Sequence, residues 1–354
     1  MILPESRNLE WIEKAAKDNN ASNPILVEKV IRAFSLLEAL ARSGCPFIFK
    51  GGSSLMLHFG SSRRLSIDID IICPPGTDIE KYWGMYAKDY GFTMVEAVDR
   101  IYRSDVPKTH VKCHYQVSYK TSSDVDTILL DVLTEDNNYH AVESLPIKSP
   151  FLLTEGPDVL VQVPCKADLL GDKLTAFAPH TTGIPFFKGE KPFSMEIMKQ
   201  LFDISSILDR TDSLETVRRT FNKVVPIELG YRGLDELSTD DVLADAYKTA
   251  MNICLYGALD AREYTWLTSG AHRVNGFILT ENYAMERAVR DAAKVAYLAR
   301  LLQLGIDKVR HYTPDNDATL ATEIIESTDF NKLNRLKKVN TEAFFYARRL
   351  EELG

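Results

Sequence analysis

The sequence predicts a mixed α/β domain followed by a mainly helical domain. Three observations predict it. Short runs in the first third alternate apolar and polar residues with the period of a strand. After about residue 165 the apolar residues recur with helical period instead. The length of 354 residues suits about two domains of roughly 100–200 residues each. We therefore divide the chain into 1–165 and 166–354.

The elements follow in order. Asn23-Pro24 supplies an N-cap and a first-turn proline. Val27, Val30, Ile31, Phe34, Leu37 and Leu40 continue with helical period, and Gly44 closes the helix. Phe47-Ile48-Phe49 is a short strand leading into Lys50-Gly51-Gly52-Ser53-Ser54 and a helix over Leu55 to Phe59. A second strand is expected over Leu65 to Ile72, with Ile67, Ile69 and Ile71 on one face and Ser66, Asp68 and Asp70 on the other. Alternation recurs at Tyr115 to Tyr119 and at Ile128 to Leu133. Helices are then expected over Lys166 to Ala178, Met195 to Leu208, Asp240 to Tyr256, Asn282 to Leu304 and Asn340 to Leu353. The Pro/Gly-rich stretch PHTTGIPFFKGEKPFS between the first two of these reads as a loop.

Composition excludes several classes. The chain is 45% hydrophobic and 26% charged, ordinary for a globular protein. No apolar run nears the ~20 residues of a membrane span. The opening MILPESRNLEWIEKAAK lacks an apolar signal core, so neither secretion nor membrane insertion is expected. Cys45, Cys73, Cys113, Cys165 and Cys254 are scattered without a CxxC pair, which fits a reducing cytoplasm rather than a disulfide framework or zinc ribbon. A net charge of −8 argues against a protein that coats DNA or RNA along its whole surface.

The chemistry is concentrated in KGGSSLMLHFGSSRRLSIDIDII. Asp68 and Asp70, two apart on a strand, would place both carboxylates on one face, with Cα atoms about 6.5–7 Å apart. That spacing lets them share divalent cations. Gly51-Gly52-Ser53-Ser54 lies where a strand turns into a helix, where close backbone approach and a helix N-terminus suit a phosphate. Asp131 is a lone acid in the apolar run Ile128 to Leu133. If its strand neighbours that of Asp68 and Asp70, three acids converge. Each feature alone has a plainer reading: a simple turn, a solvated strand face, an edge-strand charge. Together, within one domain, they point to nucleotidyl transfer, an in-line displacement on a metal-bound triphosphate.

Lys50-Gly51-Gly52-Ser53-Ser54-Leu55 followed by Arg64-Leu65-Ser66-Ile67-Asp68-Ile69-Asp70 resembles the AbiEii toxin family. These are nucleotidyltransferase-like proteins of type IV and related toxin–antitoxin and phage-defence systems, including the MenT group. The pattern KGG[ST]-x-L, then R-x-S-x-D-[IV]-D, is matched almost letter for letter. Leu169-Leu170-Gly171-Asp172-Lys173-Leu174-Thr175-Ala176 resembles the family's L-x-x-K-L-x-A helix. Lys199 and Asp203 match its K-D-x-x-D-L, although Gln200 stands in place of an acid there and the gap between these two motifs is long. The likeness covers roughly 45–210.

The resemblance implies a polymerase-beta-like nucleotidyltransferase domain with a mixed sheet, followed by the helical domain. Asp68, Asp70 and Asp131 would hold Mg²⁺ or Mn²⁺, with Asp131 alternatively the base for the attacking hydroxyl. Lys50, Gly51, Gly52, Ser53, Ser54, Arg64 and Ser66 would bind the nucleoside triphosphate. Lys173 and Asp203 would join the cleft from the helical domain. The implied reaction transfers a nucleoside monophosphate from an NTP to an acceptor, with pyrophosphate release; a tRNA 3′ end is the implied acceptor and an antitoxin the implied partner. Two rivals stand beside this reading: a small-molecule transferase of the aminoglycoside-modifying kind, and a non-catalytic nucleotide-binding regulator.

Lys173 is notable without the family, since Leu169, Leu170, Ala176 and Phe177 make its helical neighbours an apolar stripe. Replacing it with methionine is expected to keep the stripe packed and even stabilise the helix. Asp203 has mostly polar neighbours at helical spacing and reads from pattern alone as a surface acid paired with Lys199. His110 to His114 is set aside as a metal site, because a strand opening at Cys113-His114 would send those two side chains to opposite faces. The basic residues Lys332, Arg335, Lys337, Lys338, Arg348 and Arg349 read as a solvated helix face, with an RNA-backbone contact as the sharper alternative.

Overall fold

The computed structural model describes residues 1–21, 23–60, 63–98, 107–119, 123–328 and 330–354. It groups them into two compact units. The first is Met1–Cys165 together with Gly276–Asn282, and the second is Lys166–Asn275 with Tyr283–Gly354.

The first unit runs α1 (Leu9–Asp18), α2 (Pro24–Arg42), β1 (Ile48–Lys50), α3 (Gly51–Phe59), β2 (Ile69–Cys73), α4 (Glu80–Tyr86), β3 (Phe92–Val98), β4 (Lys108–Gln116), β5 (Val125–Thr134), β6 (Val142–Pro146) and β7 (Leu160–Pro164). The Asn23 side chain accepts from the Ile25 amide at 3.0 Å and so caps α2, with Pro24 preset for the first turn. The strands form one mixed seven-stranded sheet in the order β3-β4-β5-β2-β1-β7-β6. β2 lies antiparallel to β1 and parallel to β5, while β4 is antiparallel to β5.

Strand alternation sorts the two faces of this sheet. Ile69 and Ile71 of β2, Leu130 and Val132 of β5, and Val111, Cys113 and Tyr115 of β4 are buried in one cluster with Val27, Val30, Ile31, Phe34 and Leu37 of α2. The intervening residues, Asp70 and Asp131 among them, therefore take the opposite face. The apolar side pins the strands, and the acids are presented as a consequence.

Two expected elements differ. β2 begins at Ile69, not at Leu65: β1 ends at Lys50, the ladder partner of Asp70, and the residues ahead of Ile69 leave the ladder with β5 as well. The segment before it is bound instead by the returning stretch 276–282. The Leu65 amide donates to the Phe277 carbonyl (2.7 Å), the Leu279 amide to Arg63 (3.0 Å), and Arg64 bridges Ile278. β4 opens at Lys108, well before the expected Cys113-His114, and this changes the reading of His110.

The second unit contains α5 (Lys166–Ala176), the short hairpin β8 (Phe187–Lys188) and β9 (Lys191–Pro192), α6 (Ser194–Leu208), α7 (Glu215–Gly230), α8 (Thr239–Cys254), α9 (Ala261–Val274), α10 (Met285–Gln303), α11 (Asp317–Leu320), α12 (Leu336–Val339) and α13 (Thr341–Leu353). Helices α7 and α9 lie outside the sequence expectation. Pro226 interrupts the helical signature of α7 from within. The Asp260 side chain, accepting from the Glu263 amide at 2.9 Å, is the N-cap that marks α9. No described helix is long and apolar enough to cross a membrane.

Candidate active site

Register sets the centre of the site. Lys50 of β1 pairs with Asp70 of β2, Asp70 with Asp131 of β5, and Asp131 with His110 of β4. Four ladder partners thus form one row across four strands, two acids abreast with a basic residue at each end. Neighbouring strands lie about 4.8 Å apart, so the two carboxylates meet side by side.

That proximity is electrostatically unfavourable without a cation. The Asp70 carboxyl is pushed up to about 6, chiefly by burial and then by the negative charge of Asp131, with Asp68 adding to it; Lys108 and Lys50 oppose the shift. Asp131 is neutralised locally. His110 Nδ1 stands 2.5 Å from its Oδ1, and Lys108 Nζ 2.6 Å from its Oδ2. Among the described residues, no three His, Cys, Asp or Glu side chains are disposed as a metal centre. The donor chemistry still fits a hard divalent ion, because two adjacent carboxylates repel each other and a cation held between them would relieve both.

The glycine turn belongs to the same site. Gly51 has φ +80°, a left-handed conformation, and the Asp70 carboxylate occupies the space a Cβ would need. A Cβ on Gly52 would lie 2.5 Å from Arg64 Nη2 and 2.8 Å from Ser66 Oγ. Glycine at both positions lets the acid and the cation lie directly against the start of α3. Lys50, Gly51, Gly52, Arg64, Ser66, Asp70 and Asp131 are thereby brought together in the first unit.

Three expected roles change in detail. Ser66 and Asp68 sit on the loop before β2 and do not share a strand face with Asp70. Asp68 is exposed, and its carbonyl accepts from the buried Ser53 hydroxyl at 2.5 Å. Ser54, also buried, donates to the Gly51 carbonyl at 2.8 Å. The two hydroxyl protons thus brace the Asp68 loop and the glycine turn rather than pointing at a phosphate.

Lys173 and Asp203 lie in the second unit and meet each other. Lys173 of α5 is 4% exposed and Asp203 of α6 is 3% exposed, with Nζ 2.8 Å from Oδ2. Lys173 also donates to Gln200 Oε1 at 3.3 Å, so the residue standing where the family has an acid still accepts from this lysine. The reading of Asp203 as a surface acid paired with Lys199 is corrected: the packing of α5 on α6 buries it. The expectation that Lys173→Met stabilises the helix is corrected too, because it would leave a buried carboxylate without its counter-ion.

Sequence reasoning missed Lys108 and His110. The signal was available in KTHVKCH, where Lys108, His110, Lys112 and His114 alternate with Thr109, Val111 and Cys113 in the strand period. His114 meets Glu96 of β3 at 3.1 Å, so the histidines of this strand serve two different acids.

The raised Asp70 carboxyl predicts a pH dependence. Its folded value lies above the ordinary 3.8, so the fold loses stability as pH rises from 3.8 toward 6 and Asp70 ionises. Metal affinity runs the other way, since only the carboxylate is a ligand. Mg²⁺ titrated into the protein at pH 5 should bind about tenfold more weakly than at pH 7.5. Equal affinity would remove Asp70 from the ligand set.

A glycine turn at a helix start, packed against paired strand acids on a mixed sheet, is the arrangement that nucleotidyl transfer calls for. The model of one such family, described as "Nucleotidyl transferase AbiEii toxin, Type IV TA system", matches residues 35–269, about two thirds of the chain. The protein belongs to that family. No curated protein matches it. A solved H. pylori protein, provisionally titled a nucleotidyltransferase, is similar with 16% identity and a TM-score of 0.43, covering 81% of this chain and 97% of that one.

Proposed function

We propose that the protein transfers a nucleoside monophosphate from an NTP to the 3′ end of a tRNA, releasing pyrophosphate, and that a cognate antitoxin restrains it. The observation that carries this reading is the register of Asp70 beside Asp131, with Gly51 packed beneath Asp70. Family membership supports the transferase chemistry and implies the antitoxin.

Asp70 and Asp131, with Asp68 from the adjoining loop, would hold Mg²⁺ or Mn²⁺. When bound, the ion would offset the negative charge on the triphosphate oxygens. The backbone amides of Gly51 and Gly52 would approach the phosphates closely, and Lys50 and Arg64 would supply fixed positive charge beside them. Asp131 would orient the attacking hydroxyl once Lys108 and His110 no longer neutralise it. Ser53 and Ser54 would keep the turn and the Asp68 loop in place.

The test is incubation with each of the four labelled NTPs, total tRNA and Mg²⁺. Label should enter RNA from one NTP in preference to the others. Absence of label in RNA for all four would overturn the acceptor, and label in an added aminoglycoside instead would replace it with a small molecule.

A further inference from the structure

The connection between β5 and β6 passes the site. The two strands follow each other in the chain but stand apart in the sheet, separated by β2, β1 and β7. Residues 135–141 must therefore travel past those three strands, and they are fastened as they go. The Glu135 amide donates to the Cys73 carbonyl at 3.1 Å, at the end of β2. The Cys165 amide, just beyond β7, donates to the Ala141 carbonyl at 2.9 Å. Between these anchors the Asn137 side chain accepts from the Tyr139 amide at 2.9 Å, a local turn that fixes the backbone at Tyr139.

This course brings Tyr139 to the row of ladder partners. The residue is 6% exposed, and Lys50 Nζ lies 5.7 Å from the centre of its ring. That is within the ~6 Å over which an aromatic face attracts an ammonium. About ninety residues of chain separate the two, so no motif carries the pair. Lys50 opposes the upward shift of the Asp70 carboxyl, so its charge already reaches the acid beside it. A lysine has one of the largest rotamer freedoms of any side chain, and ordering it at a ligand weakens binding. A buried ring that holds the ammonium beforehand lessens that loss. A ring also leaves the positive charge intact, where a carboxylate partner would cancel it. A phosphate site needs charge that is both fixed and uncancelled.

We propose that Tyr139 is a positioning residue whose ring holds the Lys50 ammonium at the end of the Lys50–Asp70–Asp131–His110 row, ready for the triphosphate. That the charge serves a triphosphate rests on the function proposed above; the pairing of ring and ammonium does not.

Titration of the full chain with N-methylanthraniloyl derivatives of the four NTPs and Mg²⁺, read by fluorescence, tests it. Lys50→Met should weaken binding of the preferred NTP at least about tenfold. Tyr139→Leu should weaken it about fivefold, and Tyr139→Phe, which keeps the ring, should stay within about twofold of the native chain. Adding Tyr139→Leu to Lys50→Met should weaken binding no further, because the ring acts through the ammonium. A tyrosine that merely supports the fold would add its own loss in both backgrounds. Native affinity in Tyr139→Leu, or multiplied losses in the double variant, would overturn the proposal. If no NTP binds the native chain, the transfer reading falls and the pairing is decided by urea unfolding of the same four chains. Their unfolding constants should then depart from simple multiplication by about two- to fivefold. Simple multiplication would overturn the pairing as well.

Discussion

Asp70→Asn is expected to lower nucleotidyl transfer at least ~10²-fold, the scale of losing a group that places charge stabilisation at the reacting phosphate. The same substitution should raise the melting temperature at pH 7.5. Asp70 carries a buried charge that Asp131 and Asp68 oppose, and asparagine keeps its shape against Gly51 while removing that charge. Asp131→Asn should lower transfer as well, but its stability should fall slightly, by up to about 1 kcal/mol. It removes the acceptor for Lys108 and His110, and Lys108 is partly exposed, so solvent screens much of that loss. Two neighbouring acids thus predict opposite shifts in melting temperature with the same loss of activity. A full-rate Asp70→Asn enzyme would end the assignment.

Lys173→Met should destabilise the second unit by about 3–5 kcal/mol, the usual consequence of leaving one member of a buried ion pair behind. Lys173 and Asp203 are almost wholly enclosed and bonded to each other at 2.8 Å. Adding Asp203→Leu to Lys173→Met should restore most or all of that loss, because the pair is then replaced by apolar side chains. Urea midpoints of the single and double variants measure this directly. A single variant as stable as the native chain would refute the pairing. The double variant, folded but lacking the cation, also isolates Lys173's part in transfer. If it transfers at the native rate, Lys173 belongs to the fold and not to the chemistry.

Local chemistry made part of this site legible in sequence, and pairing hid the rest. The glycine turn and Asp68-x-Asp70 are each short contiguous runs, so their residue types can be read directly, although the strand period misplaced Asp68, which lies on the loop before β2. That Asp131 stands beside Asp70 depends on β5 lying parallel to β2, a partner choice made across some sixty residues of chain. His110 escaped because its strand was expected to open several residues too late; a period-2 count from Lys108 would have put it on one strand face with Lys108, and only the pairing of β4 with β5 sets it beside Asp131. Asp203 was misread for a related reason. A helical wheel shows a residue's neighbours on its own helix, and here those are polar, whereas what buries it is another helix. Pro226 masked α7 in the same way, by a local signal that the packing of the unit overrides.

The stretch 276–282 has a consequence for how the protein is made. It holds Arg63, Arg64 and Leu65, the residues leading into Asp68, yet it is synthesised some two hundred residues after them. On the ribosome, the strands bearing Asp70 and Asp131 emerge early, but the loop bearing Asp68 stays unclamped until residue 282 is clear of the exit tunnel. Under the function proposed above, assembly of the Asp68 loop therefore waits until residues 276–282 have been synthesised.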